Sequence, residues 1–376
     1  MDESSKCNNQ KECCCGSTTD NSQCCIDSSI EIMVSEESWV TGRVSTPIGE
    51  IPQVSTKLTI HDKIGSWKVR WGINRMNYKI NPGLYCLGNP DKMSPVLVTA
   101  NYKLSFDMLR KELSGINAWI LVLDTKGINV WCAAGKGTFG TDELVNRISI
   151  ANLSKVVNHK TVILPQLGAP GVSAHEVQKR CGFKVVFGPV RASDVKVFIA
   201  AGMKATSEMR KVKFTIYDRL VLTPIELVGT FKVSLMAFGV LFILNLFGSN
   251  PFGIIDFYGY IGALLVGCVL VPVLLPWIPG KAFAWKGWLM GMLWAAGVNA
   301  INGWPQSPEY SLVRALAYML IIPSLSAFYA MNFTGASTYT SFSGVLKEMK
   351  TAVPAIIISA AIGGILLLLA TFIPNI

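Results

Sequence analysis

The sequence predicts an α/β domain with a mostly parallel sheet, followed by an all-α membrane domain of five helices. Three observations predict it. Charge is unevenly spread: of 34 Lys+Arg and 24 Asp+Glu in 376 residues, only six basic residues (Lys232, Lys281, Lys286, Arg314, Lys347, Lys350) and three acidic ones (Asp256, Glu309, Glu348) follow Val228. Between about Ser29 and Leu222, apolar runs of strand length alternate with helical patterns, as in βαβ units. Five long apolar stretches follow. The expected organisation is a Cys-rich disordered tail over 1–28, a soluble domain over 29–224 and a membrane domain over 225–376.

The tail holds six of the ten cysteines, Cys7, Cys13, Cys14, Cys15, Cys24 and Cys25, among Asn, Gln, Ser, Thr and Asp. With almost nothing to pack, it reads as disordered. It contains no C-x-x-C, so the iron–sulfur ligation signature is absent and a structural zinc site is weakly supported. Clustered thiolates at Cys13, Cys14, Cys15, Cys24 and Cys25 suit capture of soft ions such as Hg(II), Cu(I) or As(III); a solvated tail with no metal role is the plainer alternative. Residues 1–29 lack the apolar core of a signal peptide. The soluble domain is therefore expected in the cytoplasm, where thiols stay reduced.

In the soluble domain, Pro95–Thr99, Ala118–Leu123, Thr161–Leu164 and Lys184–Phe187 are near-continuous apolar runs, the pattern of strands covered on both faces. Phe106–Leu113, Asp142–Ile150, His175–Cys181 and Asp194–Ala201 read as helices between them. Ligands of such sheets bind at the carboxyl ends of the strands. Three segments there are rich in Gly or Pro: Trp131–Gly137, Leu164–Gly171 and Phe187–Arg191. On one rim they let a large, flat ligand approach the backbone. Ala134-Gly-Lys-Gly-Thr138 fails as a phosphate loop, because Lys136 is followed by Gly137 and position 130 is Val. No G-x-G-x-x-G follows a strand, which argues against a dinucleotide. Nothing resembles a recognition helix, zinc finger or base-stacking platform, so the excess of positive charge does not indicate nucleic acid. Cys132 stands at a strand end near a helix start, where a thiol is a better nucleophile and metal ligand. On composition alone it reads as a small buried filler.

The membrane stretches are about Gly229–Phe247, Phe257–Trp277, Ala282–Ile301, Leu312–Phe333 and Pro354–Ile373, each long enough for a hydrocarbon core of about 30 Å. The connections alternate in charge: basic before the first (Arg210, Lys211, Lys213, Arg219), free of Lys and Arg over 248–256, basic at Lys281 and Lys286, free of them over Asn302–Ser311, and basic at Lys347 and Lys350. The positive-inside rule places the soluble domain in the cytoplasm and the C-terminus outside. Lys232, Lys286 and Arg314 are expected to snorkel from span ends. No buried acid–base pair of the kind a proton-driven carrier needs is expected. Asn245, Asn299 and Cys268 read as packing residues.

Asn129-Val-Trp-Cys-Ala-Ala-Gly-Lys136, continued by Gly137-Thr-Phe-Gly140, resembles the cap-helix signature of the mercury-methylating corrinoid proteins (the HgcA family). It is also similar to the corrinoid domain of the corrinoid iron–sulfur protein large subunit. The resemblance extends over Asn101–Leu104, Leu164–Val172 and Gly188–Ala192, and a corrinoid domain before five spans is the methylator layout. It implies a Rossmann-like fold and a cobalt corrinoid wedged between cap helix and sheet rim. The D-x-H-x-x-G signature of histidine-ligated corrinoid proteins is absent; His61, His159 and His175 stand in no such setting. Cys132 is then the implied lower cobalt ligand and catalytic residue. Asn129, Val130 and Trp131 position the cap with Ala133, Ala134 and Thr138. Gly135 and Gly137 admit the ring, and Lys136 meets a propionamide or tunes the thiolate. Pro95–Asn101, Gly168, Ala169, Pro170, Gly171, Gly188, Pro189, Val190 and Arg191 line the opposite face.

The activity implied is a membrane-bound methyltransferase carrying methyl from methyl-Co(III) to Hg(II). Its methyl donor is expected to be methyltetrahydrofolate, acting through a methyltransferase. Because the chain lacks an iron–sulfur motif, a separate dicluster [4Fe-4S] ferredoxin is expected to supply electrons. The alternatives are a corrinoid methyl carrier with another acceptor and, in a different class, a soft-metal membrane transporter.

Overall fold

The structure, a computed structural model, describes residues 37–246, 252–307, 310–337 and 342–372. The Cys-rich tail, including Cys13, Cys14, Cys15, Cys24 and Cys25, lies outside the described residues. A compact unit runs from Ser38 to the C-terminus.

Seven strands form one sheet. β1 (Val40–Thr46) and β2 (Gly49–Val54) make a hairpin, closed by the Thr46 hydroxyl donating to the Gly49 carbonyl at 2.7 Å. β3 is Gly83–Leu87, β4 Val96–Ala100, β5 Ala118–Leu123, β6 Thr161–Leu164 and β7 Lys184–Phe187. Their spatial order is β1-β2-β3-β5-β4-β6-β7. The four apolar runs read from the sequence are β4 to β7, and β4 pairs in parallel with β5 and β6, as β6 does with β7. The sheet as a whole is mixed, because β1 is antiparallel to β2 and β3 to β5.

Helices cover both faces. α1 (Ile60–Arg70) and α2 (Lys103–Glu112) lie on one side, with α7 (Val195–Ala200); α3 (Val130–Lys136), α4 (Thr141–Ile150), α5 (Leu153–Val156) and α6 (Ala174–Cys181) lie on the other. Every residue of β4 and β5 is buried, the consequence of having a helical layer on each face. α1 is joined to α2 by a buried charge cluster. Asp62 accepts from Lys103 (2.6 Å) and Arg110 (2.8 Å), and Asp107 accepts from the same two residues (2.7 Å each). Arg110 also donates to the Ser55 carbonyl at 2.6 Å. Burial opposes ionisation of Asp62, but Lys103, the Thr59 amide and Arg110 outweigh it and hold the carboxyl well below the usual range.

A short helix, α8 (Ile216–Leu220), leads into α9 (Thr223–Leu246). Then come α10 (Ile254–Leu265), a π turn at Val266–Leu270, α11 (Val271–Leu274), α12 (Phe283–Ile301), α13 (Leu312–Asn332) and α14 (Phe342–Phe372). Four segments are long and apolar enough to cross a membrane: Ile216–Leu246, Ile254–Leu274, Leu312–Gly335 and Ser343–Ala370. The stretch expected as a third span is a helix, α12, 19 residues long, but it is not one of these four, and Trp285, Lys286, Trp288, Trp294 and Asn299 make it less apolar. It compensates by packing inward. Gly287 and Gly291 let it approach α13 so closely that a Cβ at either would fall 2.5 Å from the Ser326 carbonyl or 2.7 Å from the Pro323 backbone, a small-residue contact of the kind that joins membrane helices.

Two expectations about these helices are corrected. Arg314 does not snorkel: it lies 3.4 Å from Asp256, whose other oxygen accepts from Tyr318 at 2.6 Å. This partly buried Arg–Asp pair joins residues 58 positions apart that no local pattern connects. Lys286 is buried and donates to the Leu275 carbonyl, satisfying a backbone acceptor freed where the helix before it ends. Asn299 and Asn245 are packing residues, as read. Asn299 bridges Tyr310 and the Ala315 carbonyl, and Asn245 makes two bonds to the Phe252 backbone. Cys268 is buried within the π turn.

Candidate functional site

The residues that begin α3 are placed by the loop after β5. Asn101, at the end of β4, is buried, and its Oδ1 accepts from the Thr125 amide (3.1 Å) and the Gly127 amide (3.0 Å), while its Nδ2 donates to Asp124 (3.2 Å). That ties the 124–128 turn to the neighbouring strand. Gly127 adopts a left-handed φ of 73° there. Asn129 then caps α3: its Oδ1 accepts from the Cys132 amide at 2.9 Å. α3 ends at Gly137, whose φ of 80° is the left-handed C-cap.

Cys132 is exposed, which overturns its composition-based reading as a buried filler. It opens onto a cavity of about 690 Å³ between the carboxyl ends of β4, β6 and β7, the start of α3, and the approach to the membrane helices. Asn129, Val130, Trp131 and Cys132 form one side. Leu97, Val98, Ile163, Leu164 and Val195 supply an apolar floor, and Gly188, Pro189, Val190 and Arg191 a second rim. A Cβ on Gly188 would press on Ile163 at 3.2 Å. Arg191 donates to the Lys213 carbonyl and to Asp218, both at 2.7 Å, which fastens this rim to α8. Phe214, Leu222 and Gly335 bring the ends of the helical region into the wall.

The remaining expected ligand-facing residues lie elsewhere. Ala133 and Ala134 are buried in the core between α3 and the sheet. Gly135, Lys136 and Gly137 are exposed on the far end of α3, off the cavity, as is half-buried Thr138. Gly168 and Gly171 are small for packing reasons: a Cβ would fall 2.5 Å from the Phe139 ring and 2.2 Å from the Phe139 carbonyl, respectively. Ala169 and Pro170 follow that loop away from the cavity. Arg75, Ser105, Met108, Glu112 and Lys213, which also line it, were missed. They come from elements whose sequence pattern carries no ligand signal.

Among the described residues, Cys132 is the only thiol in the lining, and no histidine lines it. His159 is held 2.9 Å from the Ser94 carbonyl, and His61 and His175 are exposed. Among the described residues, no three His, Cys, Asp or Glu side chains cluster to hold a metal ion. The site is thus one thiol, with the Met108 thioether also in the lining, over an apolar floor at the carboxyl edge of a sheet.

Comparison with known proteins finds similarity over the segment that contains this edge. The family model for the CO dehydrogenase/acetyl-CoA synthase delta subunit matches residues 73–199. This segment contains β3 to β7 and the cavity's α3 side. The acetyl-CoA decarbonylase/synthase complex subunit gamma of Methanopyrus kandleri is 30% identical over 123 residues, 32% of this chain and 26% of its own length. The gamma 2 subunit of Methanosarcina thermophila is 35% identical over 115 residues, covering 30% of this chain and 24% of that subunit. The Archaeoglobus fulgidus gamma subunit is 29% identical over 124 residues, with coverages of 32% and 26%. The chain spans about a quarter of the length of the curated relatives it matches. The matched region stops before α8.

Proposed function

We propose that the cavity at Cys132 binds a cobalt corrinoid, and that the chain is a membrane-bound corrinoid methyltransferase with Hg(II) as acceptor. The observation that carries this reading is the exposed Cys132 thiol, held by the Asn129 cap above a broad apolar floor. Those residues fit the group. A thiolate suits a soft transition-metal ion, the floor suits the faces of a macrocycle, and Arg191, Ser105 and Glu112 at the margin offer hydrogen-bonding groups for its polar substituents. Similarity of residues 73–199 to the CO dehydrogenase/acetyl-CoA synthase delta subunit family, and of 123 residues to an acetyl-CoA decarbonylase/synthase gamma subunit, supports the reading.

Cys132 would hold the cobalt of a bound corrinoid as a thiolate, and the group would supply a cobalt-borne methyl for transfer to an electrophile. The protein's part is positional. Asn101 fixes the loop, Asn129 fixes the Cys132 backbone, and the buried Ala133 and Ala134 lock α3 to the sheet, so that Sγ is presented from a rigid element. Trp131, 41% exposed, lines the cavity next to Cys132 in the chain.

The accompanying proposals are these. The chain is divided into a metal-capturing tail (1–28), a corrinoid domain (29–224) and a membrane domain (225–376). α12 is a fifth span, less apolar because its neighbours cover it. The corrinoid domain is cytoplasmic and the C-terminus outside. A dicluster ferredoxin and a methyltetrahydrofolate-linked methyltransferase are the partners. The test is cobalt per chain and methylmercury formed per cobalt, with ferredoxin and methyl donor present, for the wild type and Cys132→Ala. Expected is a coloured, cobalt-containing wild type and near-complete loss of methylmercury per cobalt in the variant. Absence of cobalt in the wild type would overturn the corrinoid reading. Corrinoid-bound protein that methylates another acceptor but not Hg(II) would leave the carrier and remove mercury.

A further inference from the structure

α1 carries its charged cluster on one side and leaves the other bare. Asp62 and Val69 are buried against the body of the domain. At about 100° per residue, Ile60, Ile64, Trp67 and Trp71 fall on the opposite side, within a stripe about 60° wide. Ile60, Ile64 and Trp67 are 75%, 48% and 69% exposed. Trp67 and Trp71 meet edge to face with centroids 6.3 Å apart, and Ile73 and Met76 extend the apolar surface past the helix end. Lys63 and Lys68 flank the stripe, about 60° to one side and about 80° to the other. A continuous apolar face of this kind on a soluble domain marks a docking surface.

What covers it follows from the next turn. A Cβ on Gly72 would lie 3.6 Å from Ile225 and 3.7 Å from Val228 of α9. Val228 and Phe231 begin the run of exposed apolar side chains on that helix, so the end of α1 sits at the level where α9 enters an apolar layer. Tyr217 on α8 and Trp277 after α11 are exposed near the same helix entry, as aromatic residues at a membrane boundary are. We propose that α1 lies in the plane of the membrane–water interface, with Ile60, Ile64, Trp67 and Trp71 among acyl chains and Lys63 and Lys68 on anionic headgroups. Apolar stripe, tryptophans and flanking lysines are the make-up of an interfacial helix. Because the Asp62 cluster fastens α1 to α2, and α2 presents Ser105, Met108 and Glu112 to the cavity, this second attachment fixes the cavity's orientation to the bilayer. The placement rests on α9 crossing the membrane and is independent of what the cavity binds.

The test uses the full chain in nanodiscs of phosphatidylcholine with phosphatidylglycerol, carrying photoreactive p-benzoylphenylalanine in turn at Ile64, Trp67, Phe231 and Ile150. The last is an exposed residue of α4 on the opposite face of the sheet. Mass spectrometry after irradiation is expected to find lipid adducts at 64, 67 and 231 and none above background at 150. Adducts at 231 without adducts at 64 and 67, or adducts at 64 and 67 to a second copy of the chain, would overturn the proposal. Absence of adducts at 231 would overturn the crossing of α9 itself. Lys63→Glu with Lys68→Glu is expected to lower the yield at 67 in discs containing phosphatidylglycerol and not in phosphatidylcholine alone; equal yields would remove the headgroup contact.

Discussion

Asn101→Ala tests whether the position of Cys132 is set from the neighbouring strand. The side chain's Oδ1 accepts from two main-chain amides, those of Thr125 and Gly127, at 3.1 and 3.0 Å. Both residues are buried, so truncation leaves two N–H groups without their acceptor. Each such group costs about 1–3 kcal/mol. Allowing for partial relaxation of the turn, a local loss of about 2–4 kcal/mol is expected, equivalent to about 30- to 700-fold in an opening equilibrium. Hydrogen exchange of the full-length protein reads this directly. The Ile128 amide, bonded to the Thr125 carbonyl at 3.2 Å, and the Cys132 amide, bonded to Asn129, report on the turn and on the cap. Both should exchange faster by that factor, while amides in β6 and β7 do not change. Asn101→Asp keeps the two accepted bonds but sets a second carboxylate beside Asp124; exchange at Ile128 should lie between wild type and Asn101→Ala. Wild-type exchange at Ile128 and Cys132 in Asn101→Ala would show that the cap is held by something else.

Three further outcomes are expected. Gly171→Ala places a Cβ 2.2 Å from the Phe139 carbonyl and 3.0 Å from the Ala134 backbone, so melting should fall by several degrees. Gly135→Ala meets nothing within 4 Å and should raise stability by about 0.5–1 kcal/mol; the reverse order of melting temperatures would contradict the packing described. Asp62→Asn strips Lys103 and Arg110 of a buried carboxylate, a loss of about 3–5 kcal/mol at neutral pH. Because the folded Asp62 carboxyl titrates below its unfolded value, its contribution is full above about pH 4 and fades as pH falls through the folded value. The gap between the wild-type and Asp62→Asn melting temperatures should therefore narrow only under acid conditions, and a gap constant down to strong acid would refute it. Burial pushes the Cys86 thiol up to about 11, whereas Cys132 is exposed. Iodoacetamide at pH 8, mapped by mass spectrometry, should modify Cys132 long before Cys86, and comparable rates would place Cys132 out of solvent.

The sequence by itself determined the parts of this protein in which one element's pattern carries its own environment. β4 to β7 were legible because strands covered on both faces are mostly apolar, and the four helices long and apolar enough to cross a membrane because their runs are long and nearly uncharged. Asn129 and Cys132 were singled out only through the resemblance of their segment to a known family, since composition alone read Cys132 as a buried filler. β1, β2 and β3 were not, since β1 alternates exposure at the sheet's edge, Pro52 interrupts β2, and neither carries an apolar run. α1 escaped notice because its apolar stripe faces away from the core that such a stripe ordinarily serves. Tertiary structure alone decided which glycines face the cavity. Gly188 and Gly171 stand in similar Gly/Pro loops, yet the first lines the cavity and the second makes room for the Phe139 backbone. It alone decided that Arg314 meets Asp256 rather than water, and that Lys286 satisfies the Leu275 carbonyl. Those outcomes depend on which distant backbone comes within a few ångströms, and local sequence records propensity and pattern but not that distance.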